Sequence, residues 1–175
     1  MSVTIKSARE IELMREAGRL LAEVHEEMAA FIKPGISTKD IDKLGEKLIR
    51  EKGCIPNFLN YHGYPASVCV SVNDEVVHGI PNKHRILQEG DIVSLDAGLI
   101  YKGYHSDAAR TYGVGTISKE AQQLIDVTRQ SFFEGIKYAK AGNRLHDISG
   151  NLGYSLSRGL IFRLIYQCLL LRFLV

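Results

Sequence analysis

Apolar residues recur at helical spacing early in this chain. Ile11, Met14, Leu20, Leu21, Val24, Met28 and Phe31 predict an amphipathic helix whose stripe faces a core. Ser7-Ala-Arg-Glu10 is a capping-box pattern that opens it, and Lys33-Pro34-Gly35 stops it. A second helix starts at Ser37 or Thr38, carries Ile41, Leu44, Leu48 and Ile49, and ends at Gly53. A third starts at Ser118, shows Leu124, Ile125, Thr128, Phe132 and Ile136, and ends near Gly142.

Between the second and third helices the period shortens. Ser67 to Val72 reads as a short apolar strand, Asn73-Asp74 as a turn, and Val76 to Ile80 as the next extended piece. Ile86 to Gly90 leads into Asp91-Ile-Val-Ser-Leu-Asp-Ala-Gly-Leu-Ile-Tyr101, a strand pattern. Lys102-Gly103 makes a two-residue turn, and Tyr104 to Tyr112 returns. Helices packed on an antiparallel sheet define the α+β class.

That hairpin carries the first candidate chemistry. If Tyr101 pairs with Tyr104, Asp96 lies opposite Ala109 with Asp107 as its diagonal neighbour, and both carboxylates share one face. Their backbones are then roughly 7–8 Å apart. Two like charges there are destabilising unless something positive sits between them. A divalent cation answers this, because carboxylate oxygens are hard ligands. The competing reading is that the aspartates cap a strand end or accept hydrogen bonds in a bend.

Composition narrows the classes. A chain of 175 residues suffices for one domain with a real core. A net charge of +2 is too small to argue for nucleic acid. Cys54, Cys69 and Cys168 share no CxxC spacing, and the first ten residues have no apolar run, which together point to reduced thiols and a cytoplasmic setting. From Asn151 to Val175 there is no acidic residue, and 16 of 25 residues are hydrophobic. Setting aside Arg158, Arg163 and Arg172 leaves 19 basic and 20 acidic side chains in residues 1–150. Gly159 to Val175 is too short and too interrupted for a membrane span.

His78 stands in Val76-Val-His-Gly-Ile-Pro81. A lone histidine is commonly a satisfied core residue, but beside two metal-binding carboxylates it is suited to hydrogen-bond a substrate or polarised intermediate.

Several motifs occur together: Asn60-Tyr-His-Gly-Tyr-Pro65, Ser67-Val-Cys-Val-Ser-Val-Asn73, Asp74-Glu-Val-Val-His-Gly-Ile-Pro81, Gly90-Asp-Ile-Val-Ser-Leu-Asp96 and Gly103-Tyr-His-Ser-Asp107. In that order they resemble type I methionine aminopeptidase, over about Ile5 to Gly150. The resemblance implies the pita-bread fold and a hydrolase that removes initiator methionine from nascent polypeptides. It implies two divalent ions (Co, Mn, Fe, Zn or Ni) held by Asp96 and Asp107, with Asp107 bridging. It also places His78 near the scissile amide and Tyr61, Tyr64 and Cys69 around the methionine side chain. A wall of aromatic rings and a thiol suits a flexible thioether; ordinary core packing is the alternative for those three. The implied partners are nascent chains beginning with Met, with the ribosome as a further one, and a monomer without direct nucleic-acid or membrane contact.

The family completes its metal site with a further histidine and two glutamates from its C-terminal half. After Gly150 this chain has no histidine, aspartate or glutamate. Residues 1–150 are therefore expected to form the N-terminal part of a catalytic domain, with the fold's second half largely missing. Residues 151–175 are expected to be a tail foreign to the family, and impaired activity and a tendency to aggregate follow. His105 shares strand parity with Asp107 and is a candidate third ligand. Glu75 and Glu89 are expected to be solvated. The non-enzymatic alternative is a relative that binds nascent chains or ribosomes without catalysis.

Overall fold

The computed structural model describes residues 4–158, with side chains described through residue 151. They form two compact units that divide after Thr116.

In the first unit, helix α1 spans Ala8–Phe31 and helix α2 spans Thr38–Glu51. Both open on complete capping boxes. Ser7 accepts from the Glu10 N–H while the Ser7 N–H donates to the Glu10 carboxylate, and Ser37 and Asp40 repeat the exchange. Each box satisfies two of the N–H groups that a helix start leaves without a partner.

Strand β1 is Ile55–Pro56, β2 is Val68–Val72, β3 is Ile92–Tyr101 and β4 is Tyr104–Gly113. β3 is central and antiparallel to the other three, which pair only with it among the described residues. The two-residue β1 was not anticipated, and its proline sits at a sheet margin, where a missing donor costs nothing. Lys102 and Gly103 both have positive φ, 49° and 85°, as a tight hairpin turn requires.

Alternation along the strands divides the sheet. Val68, Val70, Val72, Val93, Leu95, Ala97 and Leu99 face the helices and merge with Ala17, Leu21, Val24, Met28, Ile41 and Ile49 into one core. Burial of each large aliphatic side chain contributes about 1.5–3 kcal/mol. The first turns of α1 depart from the expected stripe: Ile11 is 46% exposed and Met14 42%. α1 begins beside the hairpin turn, where the Tyr104 hydroxyl donates to Glu10 at 3.1 Å, and the sheet beneath has narrowed to the hairpin.

Residues 76–80 are not a strand. His78 has φ 58°, in the left-handed region, so the expected extended conformation does not hold. The segment is instead fixed to β2 through Gly79. Its carbonyl accepts from Val70 N at 3.0 Å and its N–H donates to Ser71 Oγ at 3.1 Å. A Cβ on Gly79 would lie 2.3 Å from the Val70 oxygen, so only glycine allows this approach.

In the second unit, α3 (Lys119–Ile136, capped by Ser118) packs against α4 (Leu145–Arg158). The buried positions of α3 are Ser131 and Gly135, whereas Phe132 and Ile136 of the expected stripe are exposed. Ser131 and Gly135, four apart, lie on one face of α3. α4 crosses residue 150 and was not foreseen, because Ser149, Gly150 and Asn151 are poor helix formers. The run from Gly159 to Val175 lies outside the described residues.

Candidate functional site

The sheet face turned away from the core helices collects the polar residues of interest. Asp96 pairs with Cys69 of β2 on one side and Ala109 of β4 on the other. Asp107 pairs with Gly98, two residues along β3 from Asp96. The two aspartates are therefore diagonal neighbours on one face, in the register expected from the turn. Asp96 is half-buried, with Oδ1 shielded from solvent, while Asp107 is exposed.

Around them, Tyr64 is half-buried, and its hydroxyl donates to the Gly79 carbonyl at 3.0 Å, with the Val68 carbonyl at 3.3 Å. Burial pushes the Tyr64 phenol well above its usual range, with a hydrogen bond to Cys69 and the charge of Asp96 acting the same way. Tyr64, buried Cys69 and Asp96 thus form one neighbourhood. Tyr61 sits on a short 3₁₀ turn, Tyr61–Gly63, 60% exposed, with its ring edge-on to His62 at 4.4 Å. His78 is exposed next to Gly79, the residue that Tyr64 and β2 both hold.

His105 shares the aspartate face, and its Nδ1 is 2.8 Å from Asn57 Oδ1. A carboxamide oxygen only accepts, so Nδ1 donates and Nε2 is left bare in the neutral ring. Asn57 in turn donates its N–H to the Gly98 carbonyl at 2.9 Å.

Two contributors had escaped sequence reasoning. Asn57 itself had no signal, although a glycine inside a strand, Gly98, marks a close backbone approach. Asp42 reads as the solvated face of a helix, yet it is buried. Its Oδ1 accepts from Ser67 N at 2.8 Å and Val68 N at 3.1 Å, and Oδ2 pairs with Lys39 at 2.7 Å. It fixes the entry to β2 immediately before Cys69. Glu75 and Glu89, expected to be solvated, are exposed but bonded to backbone: Val72 N donates to Glu75 at 2.7 Å and Thr116 N to Glu89 at 2.5 Å.

Two carboxylates on a half-buried face are a donor set fitted to a hard divalent cation. Among the described residues, no group of three or more His, Cys, Asp or Glu is placed to hold a metal ion. A groove between α1 and the hairpin turn involves Arg9, Arg15, Arg19 and Lys102. Arg15 and Arg19 there are engaged by Glu12, Glu16 and Glu23. Among the described residues, no helix is long and apolar enough to cross a membrane.

Residues 12–163 match the sequence profile of metallopeptidase family M24, and the chain belongs to that family. Within it, the likeness is to the methionine aminopeptidases. The chain is 51% identical over 150 residues to methionine aminopeptidase of Clostridium acetobutylicum, covering 86% of this chain and 60% of that one. It is 50% identical over 147 residues to methionine aminopeptidase 1 of Bacillus subtilis, covering 84% and 59%. The crystal structure of methionine aminopeptidase from Rickettsia prowazekii superposes with a TM-score of 0.87 at 34% identity, covering 90% of this chain and 63% of that one. The architecture is accordingly that of the pita-bread fold. The chain spans about 60% of the length of the curated relatives it matches.

Proposed function

We propose that this chain carries the N-terminal part of a metal-dependent aminopeptidase acting on polypeptides that begin with methionine. The observation that carries this reading is the diagonal placement of Asp96 and Asp107 on one sheet face, bordered by Cys69 and Tyr64. Asp96 and Asp107 would hold the divalent ions, with Asp107 shared between two of them. When bound, such ions supply a water of lowered pKa and a polarised substrate carbonyl.

The chain's own residues supply recognition. Cys69 and the Tyr64 ring form an apolar, polarizable wall for a thioether side chain, with Tyr61 as a further lining residue. His78 hydrogen-bonds the substrate near the scissile amide. That the relatives similar in sequence are methionine aminopeptidases supports this substrate class.

We further propose that the chain alone hydrolyses such peptides poorly. The support is that Asp96 and Asp107 are joined by no third ligand among the described residues. A missing general base alone costs about 10²–10⁴-fold. The cytoplasm is the proposed setting, with nascent chains the partners and the ribosome where they are met.

The test is hydrolysis of Met-Ala-Ser by the purified chain with Mn²⁺ or Co²⁺, with Leu-Ala-Ser and the Asp107→Asn variant as controls. Slow cleavage confined to the Met peptide and lost in Asp107→Asn is the expected result. A rate within about tenfold of a full-length relative would overturn the impairment. Cleavage indifferent to Asp107 would overturn the site.

A further inference from the structure

His25 is an unusual core residue. It lies in α1 beside Leu21, Val24 and Met28, fully buried, and its Nε2 is 2.9 Å from the carbonyl oxygen of Ala108, 83 residues away. A carbonyl only accepts, so Nε2 carries the proton. Nδ1 is buried and has no hydrogen-bond partner among the described residues. Such a half-satisfied imidazole is less favourable in a core than a leucine of similar size. What the imidazole adds is its one bond to Ala108.

The backbone around Ala108 shows what that bond does. Gly98 turns its carbonyl to Asn57, and Val70 turns its N–H to Gly79. The odd-numbered residues of β3 therefore direct their backbone groups to β4, and Ala97 bonds with Ala108, its register partner. The Ala108 carbonyl then accepts twice, from the ladder and from the imidazole, which uses both lone pairs. Its peptide plane is held from two directions. Ala108 faces the core and Asp107, the preceding residue, faces the opposite side. The plane held is that of the 108–109 peptide, which joins Asp107 through the Cα of Ala108, so fixing it restrains the backbone from which the Asp107 carboxylate projects.

We infer that His25 is a positioning residue for Asp107, holding the Ala108–Ala109 peptide of β4 so that the neighbouring backbone, and with it the Asp107 carboxylate, keeps its place relative to Asp96. This rests on the reading of that face as a metal site. His25 touches neither substrate nor metal. Groups that hold a metal ligand in orientation commonly change metal affinity about 10–100-fold when removed. Action through one backbone bond belongs at the lower end.

The experiment is Mn²⁺ titration of the 175-residue chain by electron paramagnetic resonance, in wild type, His25→Leu, His25→Met, His25→Gln and Asp107→Asn. Amide hydrogen exchange of residues 106–110 is followed in the metal-free proteins. Glutamine places an N–H donor where Nε2 stands, so it should restore binding to near the wild-type level. The leucine variant, or the methionine variant if leucine does not fold, should bind Mn²⁺ about tenfold more weakly. Its exchange near Ala108 should be faster, with no fall in melting temperature. Unchanged binding in both apolar variants, or glutamine no better than leucine, would overturn the positioning role alone. Mn²⁺ binding that is absent in wild type, or indifferent to Asp107, would overturn the metal reading and this inference with it.

Discussion

Gly98 stands opposite Asp107 across the hairpin, and Asn57 takes the space a side chain at 98 would need. A Cβ there would lie 2.9 Å from the Asn57 Cβ and 3.0 Å from the Phe58 ring. Gly98→Ala should therefore cost about 1–3 kcal/mol, the usual penalty of overpacking, read by urea unfolding. Because Asn57 also holds His105, the variant should change the His105 ring resonances, whereas Lys47→Ala, at an exposed position of α2, should leave them alone.

Asp107→Asn removes one of the two carboxylates proposed to hold the cation. Added Mn²⁺ should raise the melting temperature of wild type only, since a ligand stabilises the state that binds it. Thermal scans with Mn²⁺ and with EDTA check this; equal Mn²⁺ response in the two proteins would remove Asp107 from the site.

Burial lowers the His25 pKa to about 4, against the opposing pull of its bond to Ala108. The unfolded chain takes up this proton near pH 6.5 and the folded chain does not. Stability should therefore decline as the pH falls from about 6.5 to about 4, and this group should add nothing further below that. The full excursion is about 3 kcal/mol. Urea unfolding across that window in wild type and His25→Leu isolates it; the variant should lose that part of the slope.

Asp42 satisfies the N–H groups of Ser67 and Val68 from within α2. Asp42→Ala leaves both unpaired and should cost about 1–3 kcal/mol. Lys39→Met, which removes the partner ion but keeps both N–H bonds to the buried carboxylate, should cost less than Asp42→Ala. Equal losses in the two would mean that the ion pair, and not the backbone bonds, carries the contribution.

What could be read in advance was whatever local chemistry determines. Ser7 with Glu10 specifies a helix start without tertiary help, and Lys102-Gly103 fixes the hairpin register and hence the shared face of Asp96 and Asp107. What escaped depends on contacts distant in the chain. His78 adopts positive φ because Gly79 is pressed against Val70, and no spacing announces that contact. Ile11 and Met14 keep a helical period although the sheet beneath them has narrowed. Asp42 differs from its solvated neighbours on α2 only through two N–H groups some 25 residues away. In α3, small Ser131 and Gly135 are buried while Phe132 and Ile136 stay exposed, the reverse of what their hydrophobicity suggests.

β1, β2 and β4 each pair with β3 among the described residues, and this has a consequence for biosynthesis. A ribosome makes α1, α2, β1 and β2 before it reaches Ile92. During that interval Val68–Val72 is an apolar strand with no mate. The helices can form as they emerge, but the sheet must wait for β3, so closure is late and depends on contacts far apart in sequence. Translation speed over the codons for residues 73–101 therefore sets how long the growing polypeptide presents an adhesive strand to chaperones and to its neighbours on the same message.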